Sequence, residues 1–183
     1  MKKFWPVPRS YSKVVPESND SRFKAKDYYI DMKGRKVLIW HSAVDIHCPD
    51  GSRVVATEDC SIVRVWEFTG PPDTPHYRHT WAVTVRNGDG TIAVYGELRK
   101  PRPRIGQKIK AGHTIGYIAQ IEYERDQSMK KLRCMLHFEL YKKGTRKTVD
   151  WWPRSRKRPA GLLNPTGYLE SCMAGRRGNA AQL

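Results

Sequence analysis

The chain has 183 residues, of which 34 are Lys or Arg and 18 are Asp or Glu, so its formal net charge is +16 with neutral histidines. Hydrophobic residues make up 39% of the sequence, and a chain of this length can bury about 70% of its unfolded surface in one core. No stretch approaches the roughly 18 consecutive apolar residues of a membrane-spanning helix. We therefore expect one basic globular domain, whose excess positive charge suits a polyanionic partner.

The first residues and the cysteines both bear on the compartment in which the protein works. The start, MKKFWPVPRS, has two lysines but no apolar segment, so we expect no Sec signal peptide. If the protein is made in the cytoplasm and works outside it, it must leave by another route, such as cell lysis, a contractile injection machine or packaging in a virus particle. No CxxC pair occurs, so we expect buried thiols, with a disulfide left open. The four thiols belong to Cys48, Cys60, Cys134 and Cys172.

In chain order, the predicted elements are mostly short strands. We expect residues 1–35 to form an irregular segment that packs on the domain, 36–170 to form the domain, and 171–183 to be a disordered basic tail. The NGDG run at 87–90 predicts a hairpin. Short β-branched or aromatic runs without a helical apolar stripe predict an all-β sheet or sandwich. The runs span 36–40, 53–57, 61–68, 80–87, 91–98, 113–120 and 132–141.

The run at 132–141, LRCMLHFELY, alternates between two kinds of face. Cys134, Leu136, Phe138 and Leu140 form an apolar face that suits the core. Met135, His137 and Glu139 form the other face, so His137 points away from the core.

A second segment, WHSAVDIHCPDGS, follows an apolar strand and supplies possible metal co-ligands for His137. His41 and Asp45 lie four residues apart in this segment. Together with His137 they would make a three-ligand nitrogen and oxygen site. Three such protein ligands and an open fourth position are typical of a catalytic zinc ion.

Five segments together resemble the lysostaphin-type (LytM-like) zinc metallopeptidases, which cut peptide bonds in bacterial peptidoglycan. HSAVDIHCPDGSRVVATEDCSIVRV is similar to that family's HxxxD and AxxGxxVxAxxDGxV stretch. VYGEL followed by RIGQKIKAGHTIGYIA resembles YxHL and VxxGQxVxxGQxIGxxG, MLHFELY resembles HLHFE, and GLLNPTGYL resembles the terminal DPxxYL. The resemblance covers residues 4 to about 170. It implies an antiparallel β-sandwich with a groove, and one zinc ion held by His41, Asp45 and His137.

The chain departs from the family pattern at two positions beside the metal. Glu97 and Met135 stand where the family has histidines that orient water and stabilise the oxyanion. A thioether cannot donate a hydrogen bond or relay a proton, whereas a carboxylate near the metal can act as general base. We therefore predict Glu97 as the catalytic base. The alternative is that Glu97 binds the zinc directly and closes a structural site.

Further polar residues are candidates for the groove around the metal. His47 lies two residues after Asp45, and His76 and His79 lie in the loop TGPPDTPHYRHTW, which could supply the missing imidazole. Glu139 is a candidate for orienting the His137 ring, because ligating histidines usually donate their second N–H to a carboxylate or carbonyl. The alternative is a structural salt bridge between Glu139 and a nearby arginine.

Three functions compete at this stage. The first is a zinc-dependent peptidoglycan endopeptidase that cuts a stem-peptide or cross-bridge amide, associated with a phage or an antibacterial effector. The second is an inactive wall-binding or structural module with the same fold, which Met135 favours. The third is nucleic-acid binding through the basic stretch 142–158, with Trp151 and Trp152 as stacking platforms, but no nucleic-acid-binding motif supports it. The same two tryptophans are weak candidates for contacts with the cell wall.

Overall fold

The computed structural model describes residues 2–11, 15, 21–30, 33–72, 77–121, 134–149 and 152–177. Within these ranges the chain forms twelve short strands and one helix. No helix in the described ranges is long and apolar enough to cross a membrane. The elements are β1 (Lys26–Ile30), β2 (Lys36–Trp40), β3 (Val44–His47), β4 (Arg53–Val55), β5 (Cys60–Glu67), β6 (Trp81–Asn87), β7 (Ile92–Leu98), β8 (Lys108–Ile109), β9 (Thr114–Tyr117), β10 (Met135–Tyr141), β11 (Trp152–Pro153), β12 (Leu162–Leu163) and α1 (Thr166–Arg177).

The strands pair antiparallel in three sheets, which confirms the predicted all-β class. The main sheet has the order β12-β10-β7-β6-β5-β8, and β3 also pairs with β10. A second sheet has the order β1-β2-β11, and β4 pairs with β9 in a third. Each of the seven predicted runs contains one strand, and the NGDG run forms the predicted β6–β7 turn, with Gly90 at a φ of 89°.

Both faces of the main sheet are buried over much of their area. One face packs in the larger core with residues of β4, β9 and α1, including Val54, Ile115 and Leu169. The opposite face carries a smaller cluster that includes Val94, Tyr141 and Trp152. The sheet is thus the middle of the molecule, with one face buried in the larger core and the other covered by the smaller cluster.

The burial of Trp152 contradicts the predictions that this residue stacks on nucleic-acid bases or contacts the cell wall. Its side chain is 4% exposed, packs against Phe23 and Trp40, and donates its indole N–H to the carbonyl oxygen of Arg156 at 3.3 Å. A tryptophan buried in this way cannot serve as a platform for a nucleic-acid base or a wall polymer. Trp151 lies outside the described residues.

The described parts of both terminal segments are more ordered than their composition predicts. Residues 26–30, inside the segment expected to be irregular, form β1 and pair with β2. The expected disorder from residue 171 is also wrong as far as Arg177, because α1 runs to that residue. Asn164 caps the helix by accepting the Thr166 N–H at 3.0 Å. The helix then buries Leu169 and Cys172, which compensates the entropy of ordering it.

The four cysteines are buried and free, in agreement with the expectation of small buried thiols. Burial raises the pKa of Cys60 and of Cys172 to about 12. Both thiols are therefore protonated and unreactive at neutral pH.

A buried hydroxyl network ties α1 to the sheets. The Tyr168 hydroxyl donates to Glu58 Oε1 at 2.6 Å and lies 2.8 Å from Thr57 Oγ1, which also contacts the Tyr95 hydroxyl at 2.9 Å. The Tyr168 ring stacks on Phe138 with a centroid distance of 5.9 Å. Because Glu58 is only 2% exposed, it depends on this donor.

We predict that Tyr168→Phe lowers the free energy of unfolding by about 1–3 kcal/mol, since it removes a hydroxyl donor from a buried carboxylate. Tyr117→Phe is the matched control, because Tyr117 is 50% exposed, and it should change stability by less than about 0.5 kcal/mol. Urea unfolding of both variants measures the difference. Equal stabilities would mean that α1 is not held by this network.

Candidate metal centre

Three of the residues singled out in the sequence lie together at one end of the main sheet. Asp45 on β3 is directly opposite His137 on β10 in the strand register, and His41 follows β2 by one residue. His41 Nε2 and His137 Nδ1 lie 3.2 Å and 3.1 Å from the same Asp45 oxygen. One candidate ligand atom from each residue lies within 4.8 Å of the others, the only such group of three found in the described ranges.

The N-terminal segment at residues 21–25 helps to build this centre. The Asp45 N–H donates to the Ser21 carbonyl at 2.9 Å, and the His41 N–H donates to the Ala25 carbonyl at 2.9 Å. His41 Nδ1 lies 3.0 Å from the carbonyl oxygen of Arg22. The sequence did not predict this role, because a backbone carbonyl can come from any residue type.

In each ring, the nitrogen that faces away from Asp45 makes a hydrogen bond, and this bond determines that the nitrogen facing Asp45 has the free lone pair. The Arg22 carbonyl can only accept, so His41 carries a proton on Nδ1 and presents Nε2 to Asp45. His137 Nε2 lies 3.2 Å from Glu139 Oε1, so its proton is on Nε2 and it presents Nδ1. Two imidazole lone pairs and a carboxylate therefore converge, which fits a divalent cation of the zinc type.

Glu139 is held by several groups besides His137. Its Oε1 accepts from Ser42 Oγ at 2.7 Å, and its Oε2 accepts from the Tyr141 hydroxyl at 2.7 Å. The side chain is 1% exposed. A carboxylate fixed in this way fixes the His137 ring in turn, which is the arrangement the sequence suggested for Glu139.

The charges of the three candidate ligands are strongly coupled. Burial opposes the charged form of each, but the ion pairs dominate: the Asp45 carboxylate raises the pKa of His41, and the two histidines hold the pKa of Asp45 well below its usual range. Burial likewise lowers the pKa of His137, yet hydrogen bonds with Asp45 and Glu139 raise it to about 10. A cation that binds here takes the place of protons on the two rings.

Glu97 reaches the same side of the sheet through a β-bulge. Between paired positions, β7 advances from Tyr95 to Leu98 while β6 advances only from Val83 to Trp81, so β7 carries one extra residue. Tyr95 and Leu98 both lie in the larger core, which leaves Gly96 and Glu97 on the other face. Glu97 has a φ of 62°, a strained value for a non-glycine residue that is common at functional sites.

Glu97 is 6% exposed, and its carboxyl is hydrogen-bonded to two threonines. Its Oε2 accepts from Thr80 Oγ1 at 2.7 Å and from Thr69 Oγ1 at 3.0 Å. Burial raises the pKa of Glu97, against the opposing effects of the Thr80 hydrogen bond and the His137 charge. A buried carboxyl with a raised pKa accepts a proton more readily than an exposed carboxyl does.

The remaining candidates do not belong to the group of three ligand residues. Met135 on β10 pairs with His47 on β3, and His47 Nε2 contacts Ser21 Oγ at 2.8 Å. His79 is exposed and packs against Gly70, where an added Cβ would lie 2.9 Å from His79 Nδ1. His76 lies outside the described residues.

Phe68 is an aromatic neighbour of the metal centre that was not predicted from the sequence. The Phe68 ring lies 5.1 Å from the His137 ring. Gly96 pairs with His137 in the register, and a Cβ at Gly96 would lie 2.8 Å from the Phe68 ring. The glycine therefore makes the space that Phe68 fills, a long-range relation without a local sequence signal.

We predict that Glu139→Gln lowers the affinity for Zn²⁺ by roughly 10- to 100-fold, because the carboxylate that orients His137 is lost. Competition with a chromophoric chelator measures this affinity. Glu170→Gln, an exposed change on α1, is the matched control. An unchanged affinity in Glu139→Gln would show that His137 does not depend on Glu139 for metal binding.

Comparisons with known proteins place this geometry in context. The sequence profile of peptidase family M23 matches residues 40–150, and no curated protein sequence matches the chain. The solved structure of LytU is similar at 18% identity over 85% of this chain and 86% of its own, with a TM-score of 0.54. That of cbpa from L. salivarius REN is similar at 18% identity over 94% and 97%, with a TM-score of 0.53.

The antimicrobial peptidase lysostaphin from Staphylococcus simulans is similar at 18% identity and a TM-score of 0.51. The match covers 90% of this chain and 55% of that protein. At identities this low the similarity shows the fold alone. That fold agrees with the lysostaphin-type sandwich that the sequence motifs imply.

Proposed function

Because the chain belongs to peptidase family M23, we propose that it is a zinc-dependent endopeptidase that cuts a stem-peptide or cross-bridge amide of bacterial peptidoglycan. The observation that carries the proposal is the convergence of His41 Nε2, His137 Nδ1 and an Asp45 oxygen. The donor set supports zinc in particular, because imidazole nitrogen and carboxylate oxygen are common ligands of catalytic zinc.

Three protein ligands leave a position open for water and substrate. Zinc, when bound there, supplies Lewis acidity that polarises the scissile carbonyl and lowers the pKa of water. His41 and His137 hold their rings in place through the Arg22 carbonyl and Glu139. Little reorganisation of these ligands is therefore needed during the reaction.

We assign the proton transfer to Glu97. Its carboxyl would take a proton from the attacking water and return it to the leaving amine. The raised pKa of Glu97 favours the uptake of that proton, and the two threonine hydroxyls hold the carboxyl in one orientation. The positive φ keeps the side chain on the metal face despite the strain.

Met135 favours the competing proposal of an inactive wall-binding or structural module. It leaves the described centre with a thioether where the family pattern has an imidazole, so stabilisation of the oxyanion would rest on other groups. In that case, removal of a ligand would lower the melting temperature without affecting any hydrolysis.

The positive charge of the protein supports a cell-wall substrate as well. A net charge of +16 would concentrate the protein on an anionic wall and increase its rate of encounter, an effect that salt weakens.

We predict that zinc-loaded protein releases defined peptides from purified sacculi and that Glu97→Gln lowers kcat by about 10²- to 10⁴-fold, the usual contribution of a general base. Zinc content should stay at one per chain in this variant. Mass spectrometry of the soluble fragments identifies the bond and gives the rate. Glu67→Gln, at an exposed position of β5, is the control and should keep the wild-type rate.

Two results separate the alternatives. Loss of zinc in Glu97→Gln would make Glu97 a metal ligand rather than the base. No release from walls of several chemotypes by wild type that holds stoichiometric zinc would favour the inactive module.

A further inference from the structure

A second pocket lies away from the metal centre and is strongly basic. Its volume is about 500 Å³, and it lies between β5, β6 and β7 on one side and residues 143–148 on the other. Four cations line it, and no Asp or Glu does so in the described part of the chain. We call it the basic pocket, and its cations are Arg64, Arg86, Lys143 and Arg146.

The four cations have no ion-pair partner among the residues that the structure describes. Four like charges around one cavity repel each other, and an anion in the cavity relieves that repulsion. Thr84, Thr145 and Thr148 line the same cavity and add hydroxyl groups. The pocket is thus equipped for a small anion with several oxygen atoms.

The loop that closes the basic pocket is held in place by its surroundings. The Lys143 stem passes over Gly90 so closely that a Cβ there would lie 2.9 Å from Lys143 Cγ and Cδ. The Val149 N–H donates to the Tyr141 hydroxyl at 3.1 Å, and the Lys142 N–H donates to the Gly161 carbonyl at 2.8 Å. Both ends of the loop are therefore anchored, which lowers the entropy cost of binding.

The basic pocket lies on the same face of the main sheet as the metal centre. Gly96, which pairs with His137, and Val94, which pairs with Glu139, lie on one face of β7. Thr84 pairs with Val94, and Arg64 pairs with Thr84. Strand spacing and rise place Arg64 about 15 Å from His137, the length of four to five extended residues.

A stripe of side chains along β5 and the residue after it connects the two sites. Phe68 contacts the His137 ring, the Trp66 ring lies 5.4 Å from Phe68, and the Arg64 guanidinium lies 4.3 Å from the Trp66 ring. Phe68 and Trp66 are partly exposed and Arg64 is exposed. A ligand bound at the metal centre can therefore follow this aromatic stripe to the basic pocket.

On this basis we propose that the basic pocket binds a carboxylate of the peptide substrate, at the far end of the aromatic stripe from the metal centre. The inference rests on the proposed function and adds a preference: stem peptides with a free carboxylate bind better than the same peptides with a carboxamide. A substrate is favoured over an unrelated polyanion because the aromatic stripe leads from the metal centre directly to the cations.

The test compares two soluble muropeptides that differ only in one stem-peptide group, a free carboxylate or a carboxamide. Calorimetry on the metal-free 183-residue chain measures binding without cleavage, and KM and kcat of the zinc-loaded chain measure turnover. We expect wild type to bind the carboxylate form about tenfold more tightly, with the difference in KM rather than kcat, as for a charge-assisted contact.

Arg64→Gln/Arg86→Gln should abolish this preference, and Arg53→Gln/Arg102→Gln should keep it. The control removes the same charge on the β4–β9 side, where Arg53 pairs with Tyr117 and Arg102 lines a separate cavity with that residue. Melting temperatures of both double variants verify folding.

Each other outcome is informative. Equal binding of the two muropeptides by wild type, or an unchanged preference in Arg64→Gln/Arg86→Gln, overturns the carboxylate site while cleavage of either peptide upholds the proposed function. Inorganic phosphate could instead bind through Arg64 and Arg86 while wild type shows no preference for the carboxylate peptide. That result would assign the basic pocket to a phosphate polymer and would also overturn the proposal. Neither binding nor cleavage of any muropeptide would contradict the proposed function itself.

Discussion

The pairing of β3 with β10 is the constraint on which the site depends. It places Asp45 opposite His137, so that a carboxylate and an imidazole project from adjacent strands on one face. On its other side, β10 pairs with β7, which positions Gly96 beside His137. A slip of one residue in the β3–β10 register would turn Asp45 to the other face and separate the ligands.

The second face of the main sheet is divided between packing and chemistry. Around Tyr141 and Trp152 it is covered and apolar, which gives the sheet the burial it needs for stability. Toward His137 the same face carries polar groups in low-dielectric surroundings. Each buried carboxyl group there has partners: Asp45 has two imidazoles, Glu139 has His137 and two hydroxyls, and Glu97 has two threonines.

Much of this arrangement follows from the sequence. Alternation in residues 132–141 separates Leu136 and Phe138, which lie in the core, from His137. The spacing of His41 and Asp45 after an apolar strand indicates a turn that returns to the sheet, and the ligand types indicate zinc chemistry. The strands were predictable because β-branched and aromatic runs between turn residues report burial on a sheet.

The parts that could not be predicted depend on contacts between distant segments. Strict alternation from Tyr95 would direct Glu97 into the core, and only the bulge against β6 reverses this. Any residue type at position 22 could supply the carbonyl that selects the His41 tautomer, so the sequence carries no signal for this contact. The tryptophans of the basic stretch 142–158 suggested stacking platforms for nucleic acid, whereas Trp152 fills a core. Asn164 caps a helix that extends into residues whose composition predicts disorder.

Diffraction at the zinc absorption edge, on crystals of the zinc-loaded protein, tests the central claim most directly. The account predicts one anomalous peak, about 2.0–2.2 Å from His41 Nε2, His137 Nδ1 and an Asp45 oxygen, with the Glu97 carboxyl beyond bonding distance of the metal. A peak bonded through the opposite ring nitrogens, a direct bond to Glu97, or a zinc ion held elsewhere would contradict it.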